Sequence, residues 1–140
     1  MVNLVIKLAH PRDLDEVMSW TDADSFKLFV EQSIPVDLGG SGRKEEWIAL
    51  EGDEVVAYAL FDVNSNHQAR IAFIVKPSRR REGIAKQFIP ELLRSQPLDS
   101  FTRIIGTPNM TDTASKKVLI NAGFRESGYD ENGQLVFEHR

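Results

Sequence analysis

The chain has 140 residues, 41% of them apolar and 27% charged, with a formal net charge of −4 and no cysteine. That length predicts one domain over residues 1–140, able to bury roughly 70% of the surface its unfolded chain would expose. The composition excludes a disulfide framework, a thiolate metal site and a cysteine nucleophile. It also argues against a dedicated nucleic-acid binder, whose footprint would be basic. No apolar run approaches the ~20 residues of a membrane span, and Met1–Lys7 lacks the basic start of a signal peptide. A cytoplasmic chain with no metal and no membrane partner is the expectation.

In chain order, Asn3 to Leu8 reads as a first strand, closed by His10-Pro11-Arg12-Asp13. A short helix then begins at Asp13-Leu14-Asp15-Glu16-Val17-Met18, with acids in its first turn. Asp22 to Glu31 reads as a second short helix, with Phe26, Leu28 and Phe29 on its apolar face. Ser33 to Arg43 carries Pro35 and Gly39-Gly40-Ser41-Gly42 and is predicted to be a flexible loop of the kind that often borders a ligand site. Three strands follow: Glu46–Leu50, Val55–Val63 and Ala69–Val75, separated by the turns Glu51-Gly52-Asp53 and Asn64-Ser65-Asn66. Turns this short favour antiparallel hairpins.

After Pro77, Gly83 to Arg94 places Ile84, Phe88, Ile89, Leu92 and Leu93 at helical spacing, although Pro90 should kink the element. Arg103 to Thr107 is a short strand, and Thr113 to Asn121 a helix with Gly123 at the position expected just past its end. Phe124–Tyr129 and Leu135–His139 flank Asp130-Glu131-Asn132-Gly133, whose Asn-Gly is a strong hairpin signal. The order β-α-α-β-β-β-α-β-α-β-β describes an α/β fold with a mixed sheet.

The segment Ile71 to Ala85 carries the chemistry. A buried-looking strand ends at Pro77, a cationic turn follows, and small residues open a helix. Lys76, Arg79, Arg80, Arg81 and Lys86 crowd this stretch, and only Glu82 opposes them locally. The first turn of a helix has backbone N–H groups without intrahelical partners, and the macrodipole makes that end partly positive. Together these form an anion site suited to phosphate. Gly83 and Ala85 leave room for a diphosphate to approach the backbone. There is no Gly-x-x-x-x-Gly-Lys-Ser/Thr, which excludes a P-loop, and no Gly-x-Gly-x-x-Gly follows a strand, which leaves a dinucleotide fold unsupported.

Val75-x-Pro77-x-x-Arg80-Arg81-Glu82-Gly83-Ile84-Ala85 resembles the Arg/Gln-x-x-Gly-x-Gly/Ala signature of the GNAT N-acetyltransferase superfamily. Asp112 to Phe124, ending in Gly123-Phe124, looks like the family's second conserved segment. The resemblance extends over the whole chain, strongly from Trp47 onward. It implies a mixed, mostly antiparallel sheet of about six to seven strands flanked by about four helices. It also implies acetyl-CoA as acetyl donor, with the pantetheine arm lying between splayed fourth and fifth strands.

Carried over residue by residue, the resemblance gives Phe73 and Val75 backbone contacts to pantetheine. The turn through Arg80, Arg81, Gly83, Ile84, Ala85 and Lys86 would hold the diphosphate, and Asp112 and Ser115 are further contacts. Asp112, standing where many members have Asn (Asn109 is an offset match), is equally an N-cap, and Ser115 equally a surface hydroxyl.

The family's proton-transfer positions differ here. Leu119 stands where many members carry a Tyr that protonates the leaving thiolate, and Arg70 stands near a frequent glutamate base. Glu46, Asp62, His67 and Tyr58 are the remaining titratable candidates, and none is assigned a catalytic role. The resemblance therefore implies an N-acetyltransferase for a primary amine of a small molecule or protein, as monomer or homodimer. A CoA-binding regulatory module with little or no catalysis is the alternative, and a basic anion- or nucleic-acid-binding domain a weaker one.

Overall fold

Glu51-Gly52-Asp53-Glu54 reverses the chain in a tight hairpin. Gly52 takes φ +62°, a left-handed backbone open to glycine without steric cost, and joins β2 (Arg43–Glu51) to β3 (Glu54–Val63). The computed structural model describes residues 3–20, 43–63, 68–80, 82–95, 103–106, 115–129 and 135–139. Within them β1 (Val5–Leu8), β4 (Gln68–Val75), β5 (Arg103–Gly106), β6 (Arg125–Tyr129) and β7 (Leu135–His139) complete a seven-stranded sheet in the order β1-β2-β3-β4-β5-β7-β6. The β4–β5 pairing is parallel and the other pairings are antiparallel.

Three α-helices lie among the described residues, rather than about four: α1 (Pro11–Met18), α2 (Ile84–Ser95) and α3 (Ser115–Asn121). The helix expected over Asp22–Glu31, the loop at 33–42, the turn at 64–66 and the Asn132-Gly133 hairpin lie outside the described residues. α1 starts at Pro11, before the expected Asp13, because Pro has no N–H to leave orphaned at a helix start. His10 caps it: its Nδ1 accepts from the Arg12 N–H at 3.2 Å, and the Asp13 carboxylate accepts from the His10 N–H at 2.8 Å.

β2 begins three residues ahead of Glu46, since its ladder with β3 runs from Arg43↔Val63 to Glu51↔Glu54. Cross-strand pairing here overrides the polar run Lys44-Glu45-Glu46. α2 continues through Pro90, which has no amide to offer Lys86. Ile84, Phe88 and Ile89 before or beside the proline, and Leu92 and Leu93 after it, are all buried, so packing holds both halves. α3 closes in a Schellman motif. Gly123 at φ +100° donates to Ile120 O, and Phe124 N–H donates to Leu119 O, both at 3.0 Å.

Side chains divide cleanly between the two sheet faces. Ala59, Phe61, Ile71, Phe73 and Val75 pack with α2, with Val118 and Leu119 of α3, and with Phe124 and Phe137. Ile48, Tyr58, Leu60, Ala72 and Ile74 pack with Val17 of α1 and with Trp20 just after it. Coverage of both faces explains why β4 reads as an unbroken apolar run rather than an alternation. Burial of Phe88 is complete, and truncation to alanine would cost on the order of 3–5 kcal/mol.

Candidate active site

Among the described residues, the sheet opens at β4. Its parallel register with β5 runs from Gln68↔Arg103 to Ile71↔Gly106 and stops there, while β4 itself continues to Val75. Among the described residues no strand pairs with β4 on that side beyond Ile71. Backbone direction along this free edge follows from the β3 side. Lys76 N–H donates to Val56 O at 2.9 Å, one residue past the Val75↔Ala57 pair. That makes Val75↔Ala57 a non-hydrogen-bonded pair, and such pairs alternate with hydrogen-bonded ones. Ala72 and Ile74 therefore turn their N–H and C=O groups to β3, and Phe73 and Val75 turn theirs to the open side. The Phe73 and Val75 side chains are buried in the α2-face core, so their backbones alone are offered. Val75 O already accepts from Arg80 Nε at 3.3 Å.

A 3₁₀ turn (Pro77–Arg79) leads from β4 to α2. Gln87 N–H donates to Gly83 O at 3.1 Å, the first intrahelical bond, so Gly83 is the N-cap. The amides of Ile84, Ala85 and Lys86 precede that bond and have no intrahelical acceptor. Gly83 has φ +79°, and a Cβ built on it would meet nothing within 4 Å. Glycine is required here by the backbone angle, and the space in front of it is open. Arg80 and Lys86 are exposed beside this helix end. Ile84 is buried in the core, so only its amide is available, whereas Ala85 is half-buried. Arg81 and Asp112 lie outside the described residues, as does the side chain of Ser115 at the start of α3.

The cationic stretch is less free than its sequence suggests. Four carboxylates engage Lys76 and Arg79, where the local sequence offered only Glu82. Lys76 Nζ lies 3.0 Å from Glu54 and 3.9 Å from Glu16 of α1. Arg79 donates through Nη1 to Glu54 at 2.7 Å, through Nε to Glu82 at 2.9 Å, and through Nη2 to Glu51. Glu51 and Glu54 come from the ends of β2 and β3, more than twenty residues away in sequence. These contacts have electrostatic consequences at both partners. Hydrogen bonding to Lys76, then the nearby charges, hold the Glu54 carboxyl below its usual range. The Glu51 and Glu82 contacts raise Arg79 further above its already high value.

The titratable candidates distribute unevenly. Leu119 is 1% exposed and faces Gly106 at the end of β5, where an added Cβ would stand 2.8 Å from its Cδ1. It is a core residue that fills the space glycine leaves, a pairing no local sequence signal announced. Tyr58 O–H donates to Glu46 at 2.8 Å on the α1 face of the sheet. Burial, and then the Glu46 charge, push the Tyr58 hydroxyl well above its usual range. A tyrosine so placed holds its proton and is a poor acid. Arg70 stands on β4 across from Asp62 and beside Ile105. His67 and the side chain of Asp62 lie outside the described residues. Among the described residues, no three His, Cys, Asp or Glu side chains stand together as metal ligands, and no helix is long and apolar enough to cross a membrane.

Comparison with known proteins identifies the family and the fold. The Acetyltransferase (GNAT) family matches the chain over residues 11–118. A search of curated proteins gives no significant match. Among solved structures, a domain from Methanocaldococcus jannaschii DSM 2661 is 13% identical with a TM-score of 0.72, covering 99% of this chain and 99% of that one. An aminoglycoside N(6')-acetyltransferase from Legionella pneumophila is 15% identical with a TM-score of 0.70, covering 99% of this chain and 92% of its own. Spermidine N-acetyltransferase from Vibrio cholerae, solved with CoA and spermine, is 13% identical with a TM-score of 0.65, covering 96% and 92%. At these identities the structures speak to the fold, and the family match covers most of the sequence. With the family match over residues 11–118 and this fold together, the chain belongs to the GNAT acetyltransferase family.

Proposed function

We propose that this protein is an N-acetyltransferase that moves an acetyl group from acetyl-CoA to a primary amine of a small molecule or protein. One juxtaposition carries the reading: the free edge of β4 at Phe73 and Val75 lies immediately ahead of the unaccepted amides of Ile84, Ala85 and Lys86. The backbone groups of Phe73 and Val75 would pair with the pantetheine amides as an added strand would. The α2 amides, with the charges of Arg80, Arg81 and Lys86, would hold the diphosphate. Open space in front of Gly83 fits such a group. Asp112 and Ser115 are the remaining proposed contacts.

Acetyl-CoA supplies the acyl group already activated as a thioester. The chain's part is to bind and orient it, and a β4 backbone N–H near Phe73 is the proposed donor toward the acyl oxygen. The whole chain acts as one domain, without a metal. Aminoglycosides and polyamines, named for two of the structural neighbours, are sensible first acceptors to try.

The decisive experiment combines acetyl-CoA titration by calorimetry with a free-thiol assay across polyamines, aminoglycosides, amino acids and peptide N-termini. Saturable binding and thiol release with at least one amine are expected. Absence of binding would remove the reading. Buried Leu119 favours a second one, a CoA-binding regulatory module, because the position that many members use for a proton donor is sealed in the core. That module would show saturable binding and no thiol release above background with any acceptor.

A further inference from the structure

We infer that Arg79 is a positioning residue for the diphosphate turn and does not itself contact the diphosphate; the inference rests on the cofactor reading above. Arg79 lies within the cationic run and at first sight belongs with Arg80 as a phosphate ligand. Its contacts point elsewhere. All three guanidinium nitrogens are engaged by carboxylates, from Glu51 on β2, Glu54 on β3 and Glu82 at the far side of the turn. The side chain is 16% exposed, and its charge is more than matched by these partners.

The turn needs such a tether. Among the described residues, its own backbone bonds are Arg79 N–H to Lys76 O at 2.9 Å and a long Arg80 N–H to Pro77 O at 3.4 Å. Pro77, Ser78, Arg80, Glu82 and Gly83 are exposed, so packing restrains them little. Glu82 directly precedes the N-cap Gly83. The guanidinium therefore bridges the tip of the β2–β3 hairpin to the residue adjoining the N-terminus of α2. Its planar fork of N–H donors suits this task, and a lysine ammonium would not span three carboxylates in the same way. Lys76 reinforces the anchor through Glu54. The amides of Ile84, Ala85 and Lys86 are thereby set in place before any ligand arrives, which lowers the ordering cost of binding.

Simple electrostatics and this clamp predict opposite signs, and Glu51→Gln separates them. Removing an acid near an anion site, and releasing an arginine beside it, should tighten CoA binding if charge alone matters. A loosened clamp weakens it. CoA titration of wild type and E51Q should show the variant's Kd about three- to tenfold higher. Amide exchange by mass spectrometry on the free proteins should be faster in the segment 77–86 and unchanged over β3.

Arg79→Met should weaken binding more; E51Q keeps the contacts to Glu54 and Glu82 and so serves where R79M fails to fold. An equal or lower Kd for E51Q, or exchange that rises equally in β3, overturns the inference while leaving the cofactor assignment intact. Failure of the wild type to bind CoA removes the functional reading itself.

Discussion

The segment Lys76 to Lys86 has two halves that look alike in sequence and end in different places. Lys76 and Arg79 are turned toward the β2–β3 hairpin and neutralised by Glu16, Glu51, Glu54 and Glu82. Arg80 and Lys86 stay exposed beside the unaccepted amides of α2. The first half spends its charge on holding the chain, and the second leaves it for solvent or ligand. A run of cations is therefore not a measure of local potential. What matters is which carboxylates the fold brings to it, and here all but Glu82 come from elements far away in sequence.

The largest expected effect in the second half comes from Gly83→Glu. It adds a negative charge where the proposed diphosphate lies and forces a side chain onto φ +79°. A like-charge clash costs several kcal/mol, so the Kd for acetyl-CoA should rise about a hundredfold or more. An unchanged Kd would remove the helix end from the site.

Arg80→Ala should be milder, about fivefold at low ionic strength, and should shrink toward wild type as salt screens the exposed charge. A salt-independent loss would instead assign Arg80 to holding Val75 O.

The smallest effect tests the first half through pH. Lys76 and Arg79 depress the Glu54 carboxyl, so its contribution to stability is fully present above the ordinary value of 4.5 and is lost as pH falls through the lower folded value. In thermal melts taken from pH 4.5 down through that lower value, Glu54→Gln should lose stability less steeply than wild type. Parallel melting curves would mean that the first half is held by packing instead of charge.

Much of this was legible in the sequence, for identifiable reasons. Ile84, Phe88, Ile89, Leu92 and Leu93 specified α2 because their spacing depends on local geometry alone, and their burial outweighed Pro90. Gly123 marked the end of α3 since only a left-handed residue closes that motif. Gly83 stands out in the sequence for its missing side chain, and the structure adds the stronger reason of its backbone angle. Ile84, expected in the cofactor turn, has only its amide to offer, because its side chain is committed to the core. The Arg79 carboxylates and the Leu119–Gly106 packing were invisible, because each depends on partners that only the folded topology makes neighbours. The same holds for Glu46 with Tyr58, two unremarkable residues until adjacent strands brought them within a hydrogen bond.

One consequence follows from the Lys76 to Val56 bond. Which β4 residues present their backbone at the opening is settled by phase along the strand, since each second residue looks the other way. A slip of one position against β3 would hand the opening to Ala72 and Ile74 and drive two core side chains through to the wrong surface. Swapping Phe73 or Val75 for another bulky apolar residue changes letters and leaves the phase untouched. Inserting one residue within β4 does the reverse. The backbone groups this strand would offer the proposed cofactor are thus set by its register, where a comparison of side chains would find little to read.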